Sequence, residues 1–300
     1  MNKVDFTNCQ RVISRAYNGA NGNKIAVLYN DEIYMLKFPP SAAKKPNELS
    51  YSNSNFSEHI ASSIFNMLGV EAHKTILGTF SVNGKEKIVC ACKDFAVGGN
   101  KLYDFCSIKN TIIDSEHNGT GTELSDILET IEKQQFVNPQ ELLNHFWDMF
   151  IVDALLGNFD RHNGNWGFLN NERTNESTIA PVYDCGSCLL PQADDKIMKA
   201  VLEKEDELNA RVFTFPTSAI KFNGMKINYY DFISSKSNND CNKALIRIFE
   251  RINNDEINKF IDSVPYVTDL QKEFYKTYIL ARYEKILMPT YKSITEKSDM

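Results

Sequence analysis

Residues 157–168 read Gly157-Asn158-Phe159-Asp160-Arg161-His162-Asn163-Gly164-Asn165-Trp166-Gly167-Phe168, and a second run, Val182-Tyr183-Asp184-Cys185-Gly186, follows soon after. The first stretch is dense in polar side chains, yet its neighbours on both sides are apolar. Upstream, Asn138-Pro139 combines a capping residue with Pro at the first helical position. The helix this predicts over 140–156 carries Leu142, Leu143, Phe146, Trp147, Phe150, Ile151, Ala154 and Leu155. So wide an apolar face predicts a buried central helix. Downstream, 166–169 and 178–183 predict two short strands. A polar loop gripped at both ends by buried elements is where reactive groups are usually displayed.

The chemistry those residue types support is phosphoryl transfer. Asp160 is placed to orient an attacking hydroxyl and accept its proton. Asn165, five positions on, is the candidate first ligand of Mg²⁺, and Asp184 at the end of the returning strand is the second. An Asp-x-x-x-x-Asn loop followed by a hairpin and Asp-x-Gly is the spacing protein kinases use. Base and metal must flank the transferred phosphoryl, and one loop plus the next strand end reach both sides. Taken singly these residues say little: Asp160 could cap a helix or pair with Arg161, and Asn165 is one of 31 Asn. Their order along the chain carries the argument.

Working outward, the first third is β-rich. Runs at 25–29 and 33–38 flank the turn-forming Asn30-Asp31-Glu32 and predict a hairpin. The Gly- and Asn-rich segment 17–24 before it reads as a loop. A helix is predicted over 55–68, where Phe56, Ile60, Ala61, Ile64, Phe65 and Leu68 recur at helical spacing before Gly69. Strands are predicted at 75–82 and 87–93 around Asn83-Gly84. From about residue 122 the pattern is mainly helical, notably at 243–251 and 270–286. The expected fold class is α+β: a small β-rich lobe over 1–95 and a larger, mainly helical lobe over 96–300.

Gly157-Asn158-x-Asp160-Arg161-His162-x-x-Asn165 with Tyr183-Asp184-x-Gly186-Ser187 resembles the catalytic signature of HipA-type serine/threonine kinases. The Asp160–Asn165 loop is also similar to that of phosphatidylinositol kinases. Within the HipA group the likeness runs nearly end to end, through Gly19-Ala20-Asn21-Gly22-Asn23-Lys24, Met35-x-Lys37-Phe38-Pro39-Pro40, Cys92-Lys93-Asp94-Phe95 and Gln192-Ala193-Asp194-Asp195. The resemblance implies a bilobal kinase-like fold using ATP and Mg²⁺. It implies that Lys37 holds the α/β-phosphates and that Glu58, or failing it Glu48, pairs with Lys37. It further implies that Gly19, Ala20, Asn21, Gly22, Asn23 and Lys24 cradle phosphates, that Lys93 to Phe95 read adenine, that His162 lies near the phosphates and that Arg161 buttresses the loop. Two departures stand out. Residues 17–24 hold no Ser or Thr to serve as the inactivating phosphorylation site of HipA itself, Ser14 being nearest. The hairpin also starts too early for HipA's extra N-terminal domain, so a DNA-bound antitoxin partner is not implied.

Bulk properties agree. Three hundred residues suit one large or two small domains. A net charge of −6 and a pI near 5.5 argue against a nucleic-acid partner. No apolar run is long enough for a membrane span, and Met1–Asp5 lacks a signal-peptide pattern. A cytoplasmic monomer acting on a protein substrate is the expectation, and export to a host is not legible in the residues. Seven cysteines read as reduced thiols; Cys90-x-Cys92 and Cys185-x-x-Cys188 could meet as a four-thiolate zinc site, but no feature fixes their approach. The leading reading is an ATP- and Mg²⁺-dependent kinase of protein Ser/Thr, itself included. The alternatives are a small-molecule or phosphoinositide kinase, or a nucleotide-binding pseudokinase. Intact Lys37, Asp160, Asn165 and Asp184 speak against the last, and the acidic balance against an anionic lipid acceptor.

Overall fold

The computed structural model describes residues 3–15, 17, 24–39, 52–113 and 118–296. Six strands form one sheet: β1 (Val4–Asp5), β2 (Gln10–Arg11), β3 (Lys24–Tyr29), β4 (Glu32–Lys37), β5 (Thr75–Val82) and β6 (Lys85–Lys93). Their order is β1-β5-β6-β4-β3-β2, with only β1–β5 parallel. The β3–β4 and β5–β6 hairpins turn on Asn30-Asp31 and Asn83-Gly84, all four with positive φ, as tight hairpin turns require. β1 and β2 have two residues each, too few for alternation to reveal them in the sequence.

Alternation along β6 gives its two faces different work. Val89 and Ala91 join Phe6, Val27, Tyr34, Leu36 and Phe80 in a small core on one side. Cys90 and Cys92 face the other way, into the main core. Helix α1 (Ser54–Met67) packs on that second face. It lies between the sheet and the helical lobe, so even Ser57, Glu58, His59 and Ser62 are buried.

The second lobe opens with β7 (Asn100–Asp104), which pairs with β8 (Gly167–Asn171), itself paired with β9 (Ser177–Ile179). Between them run α2 (Phe105–Ile112), α3 (Leu124–Lys133) and α4 (Pro139–Leu156). Asn138 caps α4 by accepting from the Gln140 and Glu141 N–H groups at 2.9 and 3.2 Å. Gly157 ends it with φ +64, and a Cβ there would fall 1.9 Å from the Tyr278 hydroxyl. Only glycine fits. Beyond β9 come α5 (Asp195–Glu203), α6 (Glu205–Asn209), a small hairpin β10–β11 (Lys221–Phe222, Met225–Lys226), α7 (Tyr229–Ser235), α8 (Asn239–Phe249), α9 (Asn254–Ser263), α10 (Asp269–Arg282) and α11 (Met288–Thr295). The helix predicted over 270–286 is therefore α10 plus a wider π turn, Tyr283–Leu287, leading into α11.

The lobes are joined by backbone hydrogen bonds at the site itself. The Val182 N–H donates to the Glu71 carbonyl (2.8 Å), and the His73 N–H to the Val182 carbonyl (2.9 Å). Two residues beyond Val182 stands Asp184.

Candidate active site

Lys37 is the last residue of β4, and its ammonium is the centre of the site. Nζ lies 2.7 Å from Glu58 Oε2 on α1 and 2.8 Å from Asp184 Oδ1. Its side chain is 13% exposed and that of Glu58 1%, whereas that of Asp184 is 46% exposed. Burial alone would pull the Lys37 ammonium down, but Glu58 and Asp184 outweigh it and hold the charge firmly on. Glu58 is likewise held ionised against its burial, by Lys37 and then His73. Asp184 is held below the usual carboxylate range chiefly by Lys37, with Lys24 contributing.

Glu58 is shared three ways. Besides Lys37, its Oε1 accepts from the Cys185 N–H (3.0 Å) and lies 2.8 Å from His73 Nε2. The turn carrying Asp184 is thus tied to α1. Gly186 belongs to the same packing: a Cβ on it would stand 3.2 Å from Glu58 Oε2, a tight contact that Glu58 would have to give way to by a few tenths of an ångström. Asp184 itself has φ +58, a conformation uncommon outside glycine and sustained here by the surrounding bonds.

The loop after α4 is built on a buried ion pair. Arg161 Nε and Nη2 donate to the two carboxylate oxygens of Asp153 at 3.0 and 3.2 Å. Its Nη1 donates to the carbonyls of Asn165 (2.9 Å) and Tyr183 (2.5 Å). One guanidinium therefore fixes the α4 end, the loop and the strand leading to Asp184. Asn158, fully buried, donates to Asp153 Oδ1 (2.8 Å) and accepts from the Asp160 N–H (3.0 Å). Asn163 donates to the carbonyls of Gly119 and Gly121, and the Tyr183 hydroxyl to that of Gly164.

This scaffold leaves Asp160 exposed. Partial burial raises its carboxyl above the ordinary range, His162 lowers it, and the like charge of Asp184 raises it again. The Asn165 Nδ2 donates to the Asp160 carbonyl (2.8 Å), so the amide oxygen is the remaining ligand atom of that side chain. Asp160, Asn165 and Asp184 belong to one loop–strand unit, and Asp160 and Asp184 feel each other's charge. The structure brings Lys37, Glu58 and Asp184 together and places Asp160 and Asn165 on the adjoining loop. His162 is exposed on that loop, with Nδ1 accepting from the Gly164 N–H (3.0 Å).

Lys93 ends β6, where its N–H donates to the Lys74 carbonyl (2.8 Å) and its side chain pairs with Glu32. Phe95 differs: its backbone N–H and C=O have no partner among the described residues, and its ring leans on Tyr183 and His73. Lys24 opens β3. Gly19, Ala20, Asn21, Gly22 and Asn23, and the alternative Glu48, lie outside the described residues. All seven cysteines are free thiols. The four-thiolate site is not formed: among the described residues the group with metal-ligand spacing is Glu58, His73 and Cys92.

With this geometry in hand, residues 18–262 match the family of HipA-like C-terminal domains. The chain belongs to this HipA-like family. It is 49% identical over 288 residues to the serine/threonine-protein kinase CtkA of Helicobacter pylori, covering 96% of this chain and 87% of that protein. A crystal structure of the Helicobacter pylori proinflammatory kinase CtkA superposes with a TM-score of 0.93 at 47% identity, covering 99% of both chains. HipA of Shewanella oneidensis, solved with HipB and operator DNA, matches with a TM-score of 0.56 at 16% identity over 94% of this chain and 67% of that one. This last likeness concerns the fold alone. The bilobal α+β architecture is thus that of the HipA-like family.

Several residues that build this HipA-like site escaped the sequence reading. His73 completes the surroundings of Glu58, and Asp153 is the counter-charge of Arg161. Asp94 accepts from the Tyr17 hydroxyl (2.8 Å) and pairs with Arg15 (3.2 Å), clamping the strand-to-lobe crossing to the segment before the Gly-rich loop. Asp153 had a legible signal: a charged residue in the apolar last turns of α4, between Val152 and Ala154, needs a buried partner. His73 had none, because its partner Glu58 lies on a separate element, and Asp94 is legible only as a member of the Lys93–Phe95 segment, without its partners Arg15 and Tyr17.

Proposed function

We propose that this chain transfers the γ-phosphoryl group of ATP to Ser or Thr hydroxyls of a protein, itself included. The observation that carries the reading is the Lys37 ammonium held between Glu58 at 2.7 Å and Asp184 at 2.8 Å, beside the loop bearing Asp160. A lysine so held is a fixed cation for phosphate oxygens, which is the task of the strand lysine paired with a helix glutamate in kinases. The relative named a serine/threonine-protein kinase, at 49% identity, supports the choice of acceptor.

In this reading Lys37, with Lys24 beside it, binds the phosphates, and the loop around Gly19–Asn23 covers them. Phe95 offers its backbone groups to adenine, in preference to Lys93. His162 lies on the phosphate side of the loop. Asp160 orients the hydroxyl and takes its proton, a role that a carboxyl raised above its ordinary range suits. The Asn165 amide oxygen and the Asp184 carboxylate are hard oxygen donors on one loop–strand unit, and they fit Mg²⁺. Bound there, Mg²⁺ would neutralise charge on the transferred group. Arg161 and Glu58 act by holding these groups in place.

The test is mass spectrometry of the full chain after incubation with ATP and Mg²⁺, alone and with a generic protein substrate. Phosphoserine or phosphothreonine is expected, and its loss in Asp160→Ala. ATP consumption only when a lipid or sugar is supplied, with no protein phosphorylation, would sink the reading.

A further inference from the structure

Behind the Lys37–Glu58 pair, His73 and Cys92, which phosphoryl transfer does not use, close around the far side of Glu58. Glu58 on α1, His73 between α1 and β5, and Cys92 on β6 each offer one ligand atom, and these atoms lie within 4.8 Å of one another. The three residues are 1%, 4% and 1% exposed. His73 Nε2 pairs with Glu58 Oε1 at 2.8 Å in a contact bent away from ideal hydrogen-bond geometry, so the imidazole is held chiefly by charge. A carboxylate oxygen, an imidazole nitrogen and a sulfur from three separate elements form a mixed donor set. Mg²⁺ and Ca²⁺ select oxygen alone, whereas Zn²⁺ takes this combination. With Zn bonds of about 2.0–2.3 Å, ligand atoms in a tetrahedral site stand roughly 3.3–3.7 Å apart. Filling the site would open the 2.8 Å contact a little and draw the sulfur in.

We propose that Glu58, His73 and Cys92 form a site for a borderline-soft divalent cation, with Zn²⁺ as the test ion, and that filling it turns the kinase down. The second clause rests on the role given to Lys37 above; the first stands without it. Glu58 is the hinge between them. Its Oε2 orients Lys37 while its Oε1 faces His73. A dication on Oε1 takes the place of the protons on His73 and Cys92, so the net charge of the cluster changes little, but it draws the shared carboxylate onto the metal and weakens its hold on Lys37. Binding releases to solvent whatever protons His73 and Cys92 carry.

The experiment uses the full chain, stripped with a chelator, then titrated with Co²⁺ and Zn²⁺. One equivalent is expected to bind with a thiolate-to-cobalt charge-transfer band, lost in Cys92→Ser and His73→Gln and retained in Cys9→Ser. Absence of the band, or its survival in Cys92→Ser, overturns the site. Should the variants not fold, X-ray absorption at the zinc edge of the unaltered protein decides: one sulfur at about 2.3 Å supports the site and two or more overturn it. For the second clause, a fluorescent ATP analogue is titrated with Mg²⁺ before and after zinc loading. Its affinity is expected to fall about tenfold, the equivalent of about 1.4 kcal/mol, with no fall in Cys92→Ser. Zinc binding with unchanged nucleotide affinity overturns the inhibitory clause alone. Absence of phosphoryl transfer under every condition would count against the kinase reading without touching the metal site.

Discussion

Arg161→Met is the most informative single perturbation of the loop. The guanidinium is 2% exposed and makes two bonds to Asp153, itself 1% exposed, and two to backbone carbonyls. Met fills much of the volume but strands a buried carboxylate, and breaking a buried pair by removing one partner costs about 3–5 kcal/mol. The carbonyls of Asn165 and Tyr183 lose a donor as well, so the upper half of that range is expected. Against a typical domain stability of about 5–15 kcal/mol this is a large fraction. Urea unfolding at neutral pH measures it as a shift in midpoint at constant slope. Most of the loss is an uncompensated charge, so Asp153→Leu added to Arg161→Met is expected to recover the greater part of it. Burial already raises the Asp153 carboxyl against the pull of Arg161, and without that cation it rises further. A carboxyl raised in the folded state favours folding when protonated, so the variant's deficit shrinks as pH falls through the carboxylate range. A loss below about 1 kcal/mol, or a double variant no more stable than Arg161→Met, would refute the account of the loop.

Asp184→Ala is expected to abolish Mg²⁺-dependent ATP binding, whereas Asp160→Ala spares binding and lowers phosphoryl transfer by roughly 10³ or more; isothermal titration and labelling with γ-marked ATP separate the two, and equal loss of binding would contradict the roles. His73 is pulled down by burial but raised further by Cys92 and Glu58, to about 9 from 6.5. Its stabilising contribution is therefore full below pH 6.5 and lost as pH rises through 9, at up to about 1.4 kcal/mol per pH unit; the urea midpoint is expected to fall with rising pH across that window in the unaltered protein and to fall less in His73→Gln. His59 is buried and pulled down to about 4, so it favours folding above 6.5 and the benefit is lost as pH falls through 4; His59→Gln should be less acid-sensitive in thermal melts. Asn138→Ala removes the side chain capping α4 and is expected to cost about 1 kcal/mol by urea unfolding.

Features that depend on near neighbours are legible in the order of the residues. The helix over 140–156 was legible because its cap, its Pro and its apolar face lie within one segment, and α4 spans Pro139–Leu156. The Asp160–Asn165 loop and the Asp184-x-Gly186 turn were legible because kinase chemistry fixes short spacings, and the hairpins because turn residues sit between alternating runs. That Cys90 and Cys92 share a face follows from strand alternation alone. The tertiary structure decided what the long-range contacts decide. Lys37, Glu58 and Asp184 are 21 and 147 positions apart as they pair, and no periodicity reports such a meeting. It engaged the Lys93 N–H with the Lys74 carbonyl at the end of the sheet, while the Phe95 backbone groups have no partner among the described residues. It gave His73 to Glu58 and Asp153 to Arg161, since burying a charge obliges the fold to supply a partner, and the partner can come from anywhere in the chain.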